Sequence, residues 1–301
     1  MKKLEGIIIP AVTPFDETGK VRLDWLTYNY EKWNQTDVAG CMALGSNGEF
    51  RSLNDDESFE VINTASEVMS EDKLYIAGIG RESLYRTLRF LDKLQNADVR
   101  IDYVSVLTPS YFFKQMTDDA LVDYFSSIAN ESKYPVLLYC APSYANNVCI
   151  SPEALKRLAD HPNIAGIKDT SKDMMSRYMD AAGEREDFEI FAGSLSNILT
   201  CMRRGGKGGI ISASNYFPQT CAKFTELVKT DGLENAVPYL EQIQTLMKET
   251  GALAGVAGVK ATMNMMGFKA GVPRKPVLPC SADITERIAS YIENNRELII
   301  D

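Results

Sequence analysis

The chain of 301 residues holds a single histidine, His161. One imidazole leaves no multi-histidine metal site. His161 precedes Pro162 and stands ahead of the apolar run 164–168. In an alternating strand–helix architecture that places it on the N-terminal face of the sheet, away from chemistry, and a remote His161 leaves no Ser-His-Asp triad. The six cysteines, at 41, 140, 149, 201, 221 and 280, show no Cys-x-x-Cys spacing and lie in or beside apolar segments. They read as free, buried thiols in a reducing cytoplasm. Long apolar runs are also missing, so no segment is expected to span a bilayer. Ile7-Ile8-Ile9 follows Glu5 and is cut by Pro10, too short a run for a signal peptide, and reads as a first strand.

Positive charge is the scarcer sign. Lys+Arg number 32 against 41 Asp+Glu, a net charge of −9. That balance argues against nucleic acid and against an anionic membrane surface as partners. An anionic small molecule would have to be held by local donors, such as oriented backbone N–H groups, because the global field repels it.

What the chain does have is alternation. Apolar runs at 6–12, 40–43, 74–78, 103–107, 135–139, 164–168, 188–192 and 208–212 read as eight strands buried on both faces of a parallel sheet. Between them lie amphipathic stretches with start signals. Asn54 with Glu57 forms a capping box, followed by Phe59, Ile62, Ala65 and Met69 on one face. Thr117 caps a helix that turns Leu121, Tyr124 and Ile128 inward. Ser151-Pro152 is a cap followed by proline at the first helical position, with Leu155 and Leu158 inward. Eight such units predict an α/β fold, a (β/α)8 TIM barrel over 1–230. Residues 231–301 carry no strand signal and read as a C-terminal helical extension, with helices at 233–250, 256–266 and 284–295. Lys260, in the middle helix, reads as an exposed or packing lysine with no role assigned.

Active sites of such barrels form at the C-terminal ends of the strands. Lys168 ends the sixth run, in Gly166-Ile167-Lys168-Asp169. Burial disfavours the ammonium form, so a desolvated lysine there is a candidate Schiff-base nucleophile. The alternative is a lysine that snorkels out of the strand and pairs with Asp169. Tyr139 ends the fifth run, where a phenol could face Lys168 and relay protons, or simply pack in the core. Gly45-Ser46-Asn47-Gly48-Glu49-Phe50 follows the second run, a turn of glycines and short polar side chains suited to a carboxylate. The glycines at 205–209 precede the eighth strand and so read as a tight turn on the opposite face rather than as a phosphate site.

Taken together, these pieces resemble the dihydrodipicolinate synthase / N-acetylneuraminate lyase family of class I pyruvate-dependent lyases. The resemblance rests on Pro10-Ala11-Val12-Thr13-Pro14-Phe15, Gly45-Ser46-Asn47-Gly48-Glu49, Thr108-Pro109 with Tyr111, Tyr139 with Pro142, Gly166-Ile167-Lys168, Gly193-Ser194 and the glycine-rich lead into Ile210-Ile211-Ser212. It covers essentially the whole chain. It implies that Lys168 forms an imine with the ketone of pyruvate or another 2-oxo acid, that Tyr139 transfers protons, and that Ser46 and a second tyrosine, Tyr111, complete a relay. It implies that Gly45, Ser46 and Asn47 hold the substrate carboxylate, that the Ile211 carbonyl lies near the substrate, and that no metal or organic cofactor is required. A homotetramer that shares Tyr111 across an interface is also implied.

The chain departs from the family's lysine-pathway synthases where the second substrate is chosen. The arginine those enzymes place two positions after the proline that follows the tyrosine is Tyr144 here, which cannot make a bidentate charged contact. The form Gly-Ser-Asn-Gly-Glu-Phe is more similar to 4-hydroxy-2-oxoglutarate aldolases. The expectation is a Schiff-base lyase or aldolase that makes or breaks a C–C bond at a 2-oxo acid. A 4-hydroxy-tetrahydrodipicolinate synthase, a dehydratase or deaminase, and a silent 2-oxo acid sensor are the alternatives.

Overall fold

The structure is a computed structural model and describes residues 2–183, 185 and 187–301. In chain order the strands are β1 (Gly6–Pro10), β2 (Gly40–Ala43), β3 (Leu74–Gly78), β4 (Tyr103–Leu107), β5 (Val136–Cys140), β6 (Ile164–Asp169), β7 (Glu189–Ala192) and β8 (Gly208–Ile210). They form a closed barrel in the order β1 to β8, and the pairings described are parallel. The helices are α1 (Leu23–Asn34), α2 (Asp55–Val68), α3 (Leu84–Asn96), α4 (Asp118–Glu131), α5 (Pro152–Ala159), α6 (Met175–Ala182), α7 (Leu195–Arg203) and α8 (Pro218–Asp231), one after each strand. Beyond them come α9 (Leu233–Glu249), α10 (Gly255–Met265) and α11 (Ala282–Asn294). This is the TIM barrel with C-terminal helices that the alternation predicts.

The start signals work as the sequence indicates. Asn54 accepts from the Glu57 N–H at 2.8 Å, and the Glu57 carboxylate accepts from the Asn54 N–H at 3.0 Å, a complete capping box. Thr117 and Ser151 cap α4 and α5 through the N–H groups of Ala120 and Ala154. The buried stripe of α2 runs through Ser58, Val61, Ile62 and Ala65, and Phe59 is only half-buried. The first and last strands are shorter than the apolar runs suggest. β1 ends at Pro10, whose carbonyl is taken by the Asn215 side chain, and after Ile210 the chain turns into a short 3-10 segment, Ser212–Asn215.

The chain divides into two compact units. One joins Tyr75–Ile210 to the residues before Gly6, and the other joins Gly6–Leu74 to Ile211–Asp301. In the first unit, β5 and β6 are in a register that sets Tyr139 beside Lys168 and Cys140 beside Asp169. Gly166 allows the close approach that carries this register onward: a Cβ there would lie 2.1 Å from the Glu189 carbonyl oxygen. In the second unit, Asn215 organises the β1 end. Its side chain accepts from the Val12 N–H at 3.1 Å and donates to the Pro10 carbonyl at 3.0 Å, while Trp33 donates its indole N–H to the Asn215 carbonyl.

Candidate active site

Lys168 lies within β6 and is 3% exposed. Its Nζ sits 4.2 Å from the centroid of the Tyr139 ring, on the face of the aromatic. Burial lowers its pKa from the ordinary 10.5 to about 7. The amine makes no ion pair among the described residues. Asp169, its sequence neighbour, points to the other face of the strand and is satisfied by Ser171, which donates its N–H at 2.9 Å and its hydroxyl at 2.8 Å. Burial raises the Asp169 carboxyl to about 6. The snorkelling lysine paired to Asp169 is therefore not what the fold builds. An amine with this pKa is substantially neutral at pH 7, whereas a solvated lysine is almost wholly charged.

Tyr139 is buried at the end of β5. Tyr144 follows on a 3-10 turn, Pro142–Tyr144, and is 55% exposed. Tyr111 is 74% exposed, stacked edge-on against Phe112 at 4.9 Å, with its N–H donated to the Glu82 carboxylate. Within one chain Tyr111 thus faces solvent beside Phe112 and Phe113, which are exposed as well. His161 sits at the opposite end of β6 from Lys168, bonded to Asn130 and to the Asn163 N–H, remote from chemistry as its position in the sequence implies.

The second unit carries the 45–49 turn. The Gly48 N–H donates to the Gly45 carbonyl and the Glu49 N–H to the Ser46 carbonyl, so these two donors are spent inside the loop. That narrows the donors available for a carboxylate to the residues before Gly48. Leu44 and Glu49 bracket the turn in the left-handed region, at φ 56° and 51°. Thr13 of the Pro10–Phe15 motif donates its hydroxyl to the Gly48 carbonyl at 2.7 Å. The Asn47 side-chain amide donates to the Ser212 hydroxyl at 2.8 Å. Ser212 is a loop partner that the sequence reading missed, because nothing in a Ser-Ala-Ser-Asn string after a strand distinguishes one hydroxyl. The Ile211 carbonyl accepts both the N–H and the hydroxyl of Ser214, which uses its two lone pairs within the turn.

The sequence reading also missed Lys260. Of the two readings, exposed or packing, the exposed one fails: Lys260 is 1% exposed, 2.6 Å from the Glu49 carboxylate, and hydrogen-bonded to the carbonyls of Thr13 and Val272.

Comparison with known proteins identifies the family. The model of the dihydrodipicolinate synthetase family matches residues 3–295. The chain belongs to that family. A 4-hydroxy-tetrahydrodipicolinate synthase of Exiguobacterium is 28% identical over 294 residues, 97% of this chain and 98% of that protein. An uncharacterized DapA-like lyase of Thermococcus kodakarensis is 29% identical over 96% of this chain and 99% of its own length. Among solved structures, a dihydrodipicolinate synthase aligns with a TM-score of 0.88 at 25% identity, covering 98% of this chain and 100% of that one. This member of the dihydrodipicolinate synthetase family is a lyase. Among the described residues no helix is long and apolar enough to cross a membrane.

Proposed function

We propose that Lys168 is the nucleophile of this lyase and that the enzyme cleaves, by retro-aldol chemistry, a 2-oxo acid bearing a hydroxyl at C4. The observation that carries the reading is the buried Lys168 amine, poised near neutral pKa on the face of Tyr139. The neutral amine adds to the substrate ketone and water leaves, which gives a protonated imine. Tyr139 takes the proton of the C4 hydroxyl as the C3–C4 bond breaks. The aldehyde departs, and the electron pair moves into the imine to form an enamine. Protonation at C3 and hydrolysis then release pyruvate and restore the lysine. Ser46 and Asn47, with the Gly45 backbone, hold the substrate carboxylate. Ser46 and Tyr111 extend the proton relay, with Tyr111 supplied by a neighbouring subunit of a homotetramer. Its 74% exposure in a single chain supports that assignment. The reading places the enzyme in the cytoplasm with no cofactor.

The second reading, condensation of pyruvate with aspartate semialdehyde, is favoured by the Exiguobacterium relative. Tyr144 weighs against it. A half-exposed phenol on the turn after β5 offers one hydrogen bond and no charge where a carboxylate-bearing aldehyde needs a guanidinium. Dehydration or deamination through the same imine would release water or ammonia instead of an aldehyde. The expected result with a panel of 2-oxo acids is aldehyde release from 4-hydroxy-2-oxo acids. Tyr144→Arg is expected to lower KM for aspartate semialdehyde by about tenfold or more, the worth of one charge-assisted bidentate contact. Efficient condensation by the unmodified enzyme would contradict the preference for cleavage, and an absence of turnover with every compound would leave a 2-oxo acid sensor as the better reading.

A further inference from the structure

The ion pair between Lys260 and Glu49 joins α10 to the turn assigned above to the substrate carboxylate. The Lys260 ammonium forms an ion pair at 2.6 Å with one Glu49 oxygen and donates hydrogen bonds to the Thr13 carbonyl at 2.8 Å and the Val272 carbonyl at 2.9 Å. Its Nζ also lies 4.3 Å from the Phe15 ring centroid. The other Glu49 oxygen accepts from the Arg274 N–H at 2.9 Å. The Arg274 side chain is fixed in turn by the Gly19 and Ser52 carbonyls and by Glu57. Lys260 thus grips both ends of the turn's support. Through Thr13 it reaches the residue whose hydroxyl holds the Gly48 carbonyl, and through Glu49 it holds the left-handed residue that closes the turn.

A buried ammonium on an otherwise uncharged helix is costly unless paired, and packing alone would be served as well by methionine. We propose that Lys260 is a positioning residue: with Glu49 and Thr13 it clamps the 45–49 turn in the conformation that receives the carboxylate of a 2-oxo acid. The C-terminal segment thereby sets affinity for the acid group without touching the substrate. The proposal rests on the assignment of the turn to the carboxylate and of Lys168 to the imine.

The test separates the clamp from both a fold defect and an error in that assignment. The wild-type protein, Lys260→Met, Lys260→Arg and the double variant Lys260→Met/Glu49→Gln are each titrated with pyruvate and with acetone. Acetone is a ketone with no carboxylate. The imine at Lys168 is trapped with borohydride. The clamp predicts that half-saturation by pyruvate rises about ten- to a hundred-fold in Lys260→Met, the scale of a small misplacement of a binding group, while acetone trapping is unchanged. Lys260→Arg recovers part of the pyruvate affinity. The double variant, which buries no unpaired charge, keeps the same selective loss even if the single variant fails to fold. Unchanged pyruvate half-saturation in the folded variants overturns the clamp, as does an equal loss for pyruvate and acetone. Wild-type protein that traps acetone on Lys168 but shows no preference for pyruvate overturns the underlying assignment of the turn, and the clamp with it.

Discussion

Lys168→Met is expected to abolish imine formation with pyruvate and to lower turnover by more than about ten-thousand-fold, because no other group replaces an amine nucleophile. The same substitution is expected to stabilise the fold. Burial holds the Lys168 pKa at about 7 in the folded chain against an ordinary 10.5. Between these values the unfolded chain binds a proton that the folded chain does not, so stability rises with pH across that window and the full penalty is present below pH 7. Methionine removes a penalty on the order of 3–5 kcal/mol at pH 6 and almost nothing at pH 10.5. Denaturant unfolding of both proteins at the two pH values checks this. A destabilised variant at pH 6 would show that Lys168 is satisfied in the folded state. The pH profile of the unmodified enzyme follows from the same shift: the rate of imine formation rises about tenfold per unit below pH 7 and levels off above it, whereas a solvated lysine would keep gaining to about pH 10.

Tyr139→Phe is expected to leave the imine trappable and to lower turnover by about a hundred- to ten-thousand-fold, the usual worth of a positioned proton donor and acceptor. The ring is retained, so the face on which the Lys168 amine rests, 4.2 Å from its centroid, is retained as well. The separation of trapping from turnover is the informative result. Equal loss of both would make Tyr139 a packing partner of the lysine, and no loss of either would remove it from the mechanism.

The positions of Lys168 and Tyr139 near strand ends were legible because each closes a short apolar run that alternates with helical stretches, and parallel β5 and β6 then bring the two side by side. The caps at Asn54, Thr117 and Ser151 were legible because capping is local chemistry. The support of the 45–49 turn was not, because it comes from far along the chain: Lys260 lies 211 positions after Glu49, the difference between 260 and 49. One signal was there to be read. Gly255–Met265 carries no charge other than Lys260, and a lone charge on a mainly apolar helix is a candidate for burial against a partner. Ser212 gave no such signal. Its pairing with Asn47 depends on where the chain turns after β8, and the apolar run overestimates that strand by two residues.

The central claim is that Lys168 attacks a 2-oxo acid. Its most direct test is to incubate the protein with pyruvate, reduce with borohydride, and map the modified peptide by mass spectrometry. The account predicts one reduced pyruvate adduct per chain, on Lys168, absent from Lys168→Met. No adduct, or an adduct on any other lysine, would contradict it.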